Sequence, residues 1–195
     1  GGGSGRLVER VLEQFPSATA VLVDQSEPFL AVAEGRLTRF GSRVSLAKHR
    51  LQDEWAKTIG PVDAIVSTSA IHHLEPVEKQ QLFAQIFAAL PSGGVFINGD
   101  EHRPESNAAY LALLEQWGRH MESSLAAKAI PPSFGKVIDA WTKRNIAEFT
   151  LPRTSGDDCL ETIATQLQYL RDAGFNRVTV PWQRELWAVF VAHKS

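Results

Sequence analysis

Short apolar runs closed by polar turns alternate with stretches of helical periodicity over the first hundred residues, and few folds accommodate that alternation. Ala20 to Val23, Asp63 to Ser67 and Val95 to Asn98 read as strands buried on both faces, with Arg43 to Leu46 a weaker candidate. Between them lie helical segments. Arg6 to Phe15 puts Leu7, Val8, Val11, Leu12 and Phe15 on one face before Pro16-Ser17 stops it. Pro28 to Leu37 follows Ser26, and Pro76 to Leu90 carries Leu82, Phe83, Ile86, Phe87 and Leu90 and ends at Pro91-Ser92-Gly93-Gly94. The order predicts an α/β fold: a doubly wound, mostly parallel sheet with helices on both faces.

The pattern changes after residue 104. Residues 105–149 are mostly helical, broken at Ile130-Pro131-Pro132-Ser133, with Trp117, Met121, Phe134 and Trp141 on faces that can bury one another. This predicts a helical insertion or lid over 104–150 within a single domain spanning 1–195. A helix over 158–173 follows, then Gly174-Phe175 and two strands, Val178 to Val180 and Leu186 to Ala192, pairing antiparallel through a turn at Gln183-Arg184-Glu185.

Composition narrows the function classes. With a formal net charge of -2, the 195-residue chain has no basic field to favour nucleic acid or a membrane surface. Its one cysteine, Cys159, excludes an internal disulfide and a Cys-rich zinc site and fits a reducing compartment. No stretch reaches the roughly 18 apolar residues of a membrane helix, and a cytoplasmic protein is expected.

The opening GGGSG reads as a cloning linker or as a ligand loop. A glycine-rich turn before a helix lets the backbone approach a ligand and leaves the first helical N–H groups free to bind it. An acid at the end of the next strand is placed to accept hydrogen bonds from ribose hydroxyls. Gly5 and Asp24 stand 19 positions apart with one helix and one strand between them, which favours the ligand loop. That constellation specifies a nucleoside cofactor, and NAD, FAD and S-adenosylmethionine all present such a ribose.

Four later segments narrow the choice. VLVDQSEPFLAVAEGRL, PVDAIVSTSAIHHLEP, IFAALPSGGVFINGDE and YLRDAGFNRVTVPWQRELWAVFVAHK resemble, in order and spacing, successive blocks of class I S-adenosylmethionine-dependent methyltransferases. The resemblance covers residues 1 to about 103 and about 157 to 195. It implies that Gly1, Gly3 and Gly5 line the methionine and ribose part of S-adenosylmethionine, that Asp24 holds the ribose hydroxyls, and that Gln25 or Ser26 lies beside the adenine. Where the family often has an acid followed by an apolar residue near the end of its third strand, this chain has Arg50 and Leu51, with Asp53 close by. Ser67 to His73 would follow the fourth strand, beside the sulfonium and the acceptor. The family also has a strand with a nearby acid ahead of its glycine loop, in the middle of the sheet. Because a central strand cannot be omitted without orphaning its neighbours' ladder groups, a segment before Gly1 is expected.

His72 and His73 are the candidate catalytic residues, since an acceptor that must lose a proton needs a base near neutral pH and histidine supplies one. Packing around the loop is the competing role. A metal site from His72, His73 and His102 lacks helical i, i+4 spacing, so no metal is expected. Asp100, Glu101, His102 and Arg103 follow a strand whose C-terminal end faces the site in an open α/β sheet, which makes Asp100 and His102 candidate acceptor contacts. Trp117 and Trp141 would line an acceptor pocket or form the core of the insertion.

The combined reading is a methyltransferase moving a methyl group to O, N or C of a small organic acceptor, with a homodimer as an open oligomeric state. The rivals are a tRNA or other macromolecule methyltransferase, a nicotinamide-dependent oxidoreductase, and a non-catalytic nucleoside-cofactor-binding protein. Against the oxidoreductase, neither tyrosine opens a Tyr-x-x-x-Lys dyad: Tyr110 is followed four positions on by Leu114, and Tyr169 by Ala173.

Overall fold

Residues 1–195 are described in a computed structural model. The elements run α1 (Arg6–Gln14), β1 (Ala20–Asp24), α2 (Glu27–Leu37), β2 (Val44–Lys48), α3 (Trp55–Ile59), β3 (Ala64–Thr68), α4 (Pro76–Ala89), β4 (Val95–Glu101), α5 (Asn107–Ala126), α6 (Gly135–Thr142), α7 (Ile163–Asp172), β5 (Arg177–Arg184) and β6 (Trp187–His193). Local chemistry explains several starts. Pro28 and Pro76 occupy first turns, where a missing N–H costs nothing. The Ser26, Ser106 and Thr162 hydroxyls accept N–H groups three residues on, capping α2, α5 and α7. The cap at Thr162 also corrects the sequence expectation of a helix from residue 158: α7 begins at Ile163, because residues 154–161 are held instead by side-chain and backbone contacts to α4 and the turn before it.

Parallel pairing joins β1 to β2 and β3 to β4, with Asp24 opposite Lys48 and Thr68 opposite Gly99. β6 runs antiparallel beside β4, and β5 antiparallel beside β6, giving the order β3-β4-β6-β5. The two closing strands pair as their sequence implies, with a register shift between Thr179 and Trp182. Pro181, which has no N–H to give the ladder, lies inside that shift. β1 pairs only with β2, and β3 only with β4. The glycine loop lies between these two sheets: the Gly2 N–H donates to the Val23 carbonyl at 2.8 Å, while a Cβ on Gly1 would fall 2.4 Å from that of Ala70.

The main core lies on one face of β4 and β6, under α4 and α7. Phe96 of β4 packs between Phe83 of α4 and Phe175, with centroids 5.8 and 6.4 Å away, and Phe87 meets Phe175 edge-on at 5.1 Å. Alternate residues of a strand share a face, so Phe96, Asn98 and Asp100 all point the same way and all are buried. That face is apolar at its start and polar at its C-terminal end, which is where a site can form. Tyr110 and Leu114 of α5 form a smaller cluster with Leu160 and with Leu186 of the β5–β6 turn, and Trp141, Ile146 and Phe149 pack against it. Phe134 is exposed and Trp117 stacks on His120, so these two do not share a core with Trp141 as the sequence suggested. No helix is long and apolar enough to cross a membrane.

A buried lysine ties the 154–161 segment to α4. Lys79, 1% exposed, donates to the Cys159 carbonyl and pairs with Glu161 at 3.2 Å, while the Tyr169 hydroxyl donates to the other Glu161 oxygen at 2.7 Å. Removing one member of such a group leaves a buried charge uncompensated. Lys79→Ala should therefore cost roughly 3 kcal/mol of stability, read as a lower midpoint in urea unfolding; an unchanged midpoint would show that the pair contributes nothing net.

Candidate functional site

The C-terminal ends of β1, β3 and β4 carry the polar residues. Asp24 closes β1, 7% exposed, and its carboxylate accepts the Gly3 N–H at 2.7 Å and the Ser26 N–H at 2.8 Å. One side chain thereby fixes both the glycine loop and the start of α2. Gly3 has φ +51 and nothing within 4 Å of where a Cβ would stand, so the backbone here faces open space. Gly5 differs. Its φ is +78, but a Cβ would lie 3.0 Å from Leu37 and 3.2 Å from Ala33, so its lack of a side chain serves the packing of α1 on α2. Ser67, near the end of β3, has a buried Oγ with no hydrogen-bond partner. Gln25 is exposed, Arg50 is exposed with its N–H on Asp53, and Leu51 packs against the main core.

After β3 the chain turns through Ser69, a non-glycine residue at φ +53, into one helical turn over Ile71–His73. Strain of this kind, about 1 kcal/mol or more, persists only where surroundings enforce it. Asp100 enforces it. Buried to 1% exposure at the end of β4, it accepts the N–H groups of Ile71 (2.9 Å) and His72 (3.1 Å) on one oxygen, and on the other meets His72 Nδ1 at 2.5 Å. His73 Nδ1 lies 3.2 Å from the Asp157 carbonyl and so must donate to it. With both Nδ1 atoms engaged, each neutral ring presents Nε2 as its acceptor. The rings are 4.0 Å apart, and one Asp158 oxygen lies 3.7 Å from His72 Nε2 and 3.5 Å from His73 Nδ1.

Burial alone would lower the His72 pKa, but the Asp100 hydrogen bond and charge, with Glu101 and Asp158 nearby, more than offset it and hold the imidazole above its ordinary value. Glu101 moves further. Burial, with the Asp158 and Asp100 charges opposed by His72, pushes its carboxyl up to about 7. His102 is buried with Nε2 unpartnered, its backbone N–H on the Leu186 carbonyl, and burial lowers its pKa.

Two openings adjoin this centre. One, of about 320 Å³, is walled by Glu101, Trp117, His120 and Trp187; the other, of about 440 Å³, by Arg103, Tyr110, Arg153 and Asp158. The structure thus brings together Gly1, Gly3 and Asp24 in one group and His72, His73 and Asp100 in another. It places Trp117 on an opening and Trp141 in the apolar cluster of the 107–149 helices. Asp158 is the residue that sequence reading missed: its contacts with the histidine pair are made from the far side of the insertion, and no local motif announces them.

The architecture is the α/β fold of class I methyltransferases. Residues 1–96 match the family model described as a methyltransferase domain. Among curated relatives, the chain is 22% identical over 173 residues to carboxy-S-adenosyl-L-methionine synthase of Campylobacter lari, covering 88% of this chain and 65% of the relative. It is 34% identical over 97 residues to trans-aconitate 2-methyltransferase of Variovorax paradoxus, covering 49% of this chain and 34% of the relative. A solved O-methyltransferase family protein from Burkholderia thailandensis shares the fold at TM-score 0.70 and 16% identity, over 100% of this chain and 49% of that one. Human N-acetylserotonin methyltransferase, solved with S-adenosylmethionine, does so at 0.61 and 12%, over 100% and 46%. The chain thus spans less than two thirds of the length of the curated relatives it matches and about half that of the solved structures.

The His72–Asp100 contact has a measurable consequence. A histidine whose folded pKa exceeds its unfolded value contributes stability that is complete below about pH 6.5 and is lost as pH rises through the folded value. Asp100→Asn should lower the His72 pKa, followed by imidazole resonances in an NMR pH titration, and remove that part of the pH dependence. Identical titration in both proteins would show that Asp100 is not the cause.

Proposed function

We propose that this protein is an S-adenosylmethionine-dependent methyltransferase acting on a small organic acceptor at O, N or C. The observation that carries the reading is the Asp24 carboxylate at the end of β1, locked to the Gly3 N–H, beneath loop backbone that faces open space. The orphaned Ser67 Oγ adds an unfilled polar position at the neighbouring strand end. These residues suit the cofactor: Gly1 and Gly3 would admit its close approach, Asp24 would take the ribose hydroxyls with its remaining lone pairs, and Gln25, Ser26, Arg50 and Leu51 border the adenine side. When bound, the cofactor supplies a methyl carbon activated by a sulfonium.

The chain's own work is then alignment, exclusion of water and proton handling. Either His72 or His73 accepts the acceptor's proton at Nε2, and Asp100 orients the His72 ring. A small acceptor is supported by one curated relative, which is named for trans-aconitate. On the acceptor side Trp117 lines an opening and Asp100 acts through His72, while His102 and Trp141 line neither opening. A cytoplasmic location and a homodimer complete the proposal.

Two measurements test it. Titration calorimetry with S-adenosylhomocysteine should show Asp24→Asn weakened by about 1.5–3 kcal/mol through loss of charge-assisted hydrogen bonds; equal affinity would put the ribose elsewhere. Replacing both histidines with glutamine should lower turnover about a hundredfold or more while leaving that affinity intact. Wild-type turnover in the double variant would reduce both rings to loop packing.

A further inference from the structure

The larger opening has a charge pattern that neither the fold nor the cofactor explains. Arg153 enters its wall with Nη1 buried and without a hydrogen-bond partner. An unpaired guanidinium N–H out of water costs free energy that a folded chain normally recovers. Arg144, whose Nη1 is likewise buried and unpartnered, still grips Asp157 through its other two nitrogens at 2.7 and 2.6 Å. Arg153 has no such grip.

Arg103, across the opening, is met only by neutral groups: the Pro104 carbonyl at 3.4 Å, the Asn107 amide oxygen and the Tyr110 ring, 5.0 Å from the guanidinium carbon. Acids in the wall are already engaged. Glu161 is held by Lys79 and Tyr169, and Asp158 by Asn145 Nδ2 at 2.9 Å and by the histidine pair. The N-terminal end of the 20-residue helix α5, where Asn107 lies, adds a partial positive charge to the same wall.

From these contacts we infer that the opening is an acceptor subsite for a small molecule bearing carboxylate, with Arg153 and Arg103 pairing the anionic group. The inference rests on the methyltransferase reading and names its substrate class. A planar guanidinium fork matches a carboxylate bidentately. A volume of about 440 Å³ holds a di- or tricarboxylate of modest size. Asp158 lines this opening and lies 3.7 Å from His72 Nε2 and 3.5 Å from His73 Nδ1, so a molecule anchored by the arginines sits beside the acid that faces the histidine pair.

Calorimetry decides it, with citrate and succinate as carboxylate probes, inorganic phosphate as the competing anion, and S-adenosylhomocysteine titrated separately. At least one carboxylate should bind the wild-type protein, at least tenfold more tightly than phosphate. Arg153→Gln and Arg103→Gln should each weaken it tenfold or more and leave S-adenosylhomocysteine affinity unchanged. Arg153→Lys, which keeps charge and bulk but cannot form the fork, should also weaken it, and serves if Arg153→Gln does not melt cooperatively. Absence of carboxylate binding, binding indifferent to the arginines, or phosphate binding as tight overturns the assignment. Arginine-dependent carboxylate binding by a protein blind to S-adenosylhomocysteine upholds the anion subsite and sinks the methyltransferase reading instead.

Discussion

A carboxylate buried at the end of a strand must be saturated with hydrogen bonds, and the arrangement of the site follows from how Asp100 meets that requirement. It receives the backbone N–H groups of Ile71, His72 and Glu101 and the His72 ring, with Asn98 Nδ2 at 3.4 Å. Three of these donors, the Ile71 and His72 N–H groups and the His72 ring, belong to the turn after β3, so the turn's shape is set by β4. The left-handed Ser69 is then the joint through which β3 delivers His72 to Asp100.

A second tether acts from above. The segment that returns from the α5–α6 helices lies across the same turn, with the Gly156 N–H on the His73 carbonyl and the Cys159 N–H on that of His72, both at 2.9 Å. Lys79 fastens it below through Cys159 and Glu161, and Arg144 fastens it behind through Asp157. Asp158 is held between those two anchors, facing the imidazoles. The helices between β4 and β5 thus help to define the charge on a pair of histidines that is distant in sequence. Any shift of those helices would move Asp158, and with it the proton affinity of the centre.

Much of this architecture is legible in the amino-acid order because it is periodic or local. The strands announce themselves by apolar runs, the helices by their faces, and Asp24 by its distance from Gly5. Where packing decides, sequence falls short. Gly5 belongs to the glycine motif, yet its role here is contact with Ala33 and Leu37. Asp100 reads as a residue facing an acceptor, while its oxygens are engaged with the turn after β3. Residues 158–162 have helical periodicity, but the gain from Lys79, Glu161 and the Thr162 cap outweighs a weak propensity difference. Asp157 and His73 meet across 84 positions, and Lys79 and Glu161 across 82, separations at which neither spacing nor composition carries a signal.

The raised proton affinities of His72 and Glu101 pull in one direction from different chief causes, burial at Glu101 and, against burial, the Asp100 hydrogen bond and charge at His72. Asp100, Asp158 and Glu101 crowd negative charge around a single imidazole in a poorly hydrated space. The cheapest relief is to keep protons there: on His72, which compensates the acids, and on Glu101, whose folded value near 7 lies above the ordinary 4.5. Between pH 4.5 and 7 the folded state therefore holds more proton at Glu101 than the unfolded one, and above about pH 6.5 it does so at His72, so each group makes stability decline as pH rises through its own window. A base must be neutral to act, so the arrangement that steadies the fold at lower pH keeps His72 protonated until the pH is higher. An anion bound between Arg103 and Arg153 would add negative charge beside Asp158 and strengthen that hold on the proton, which links acceptor binding and base protonation through one shared carboxylate.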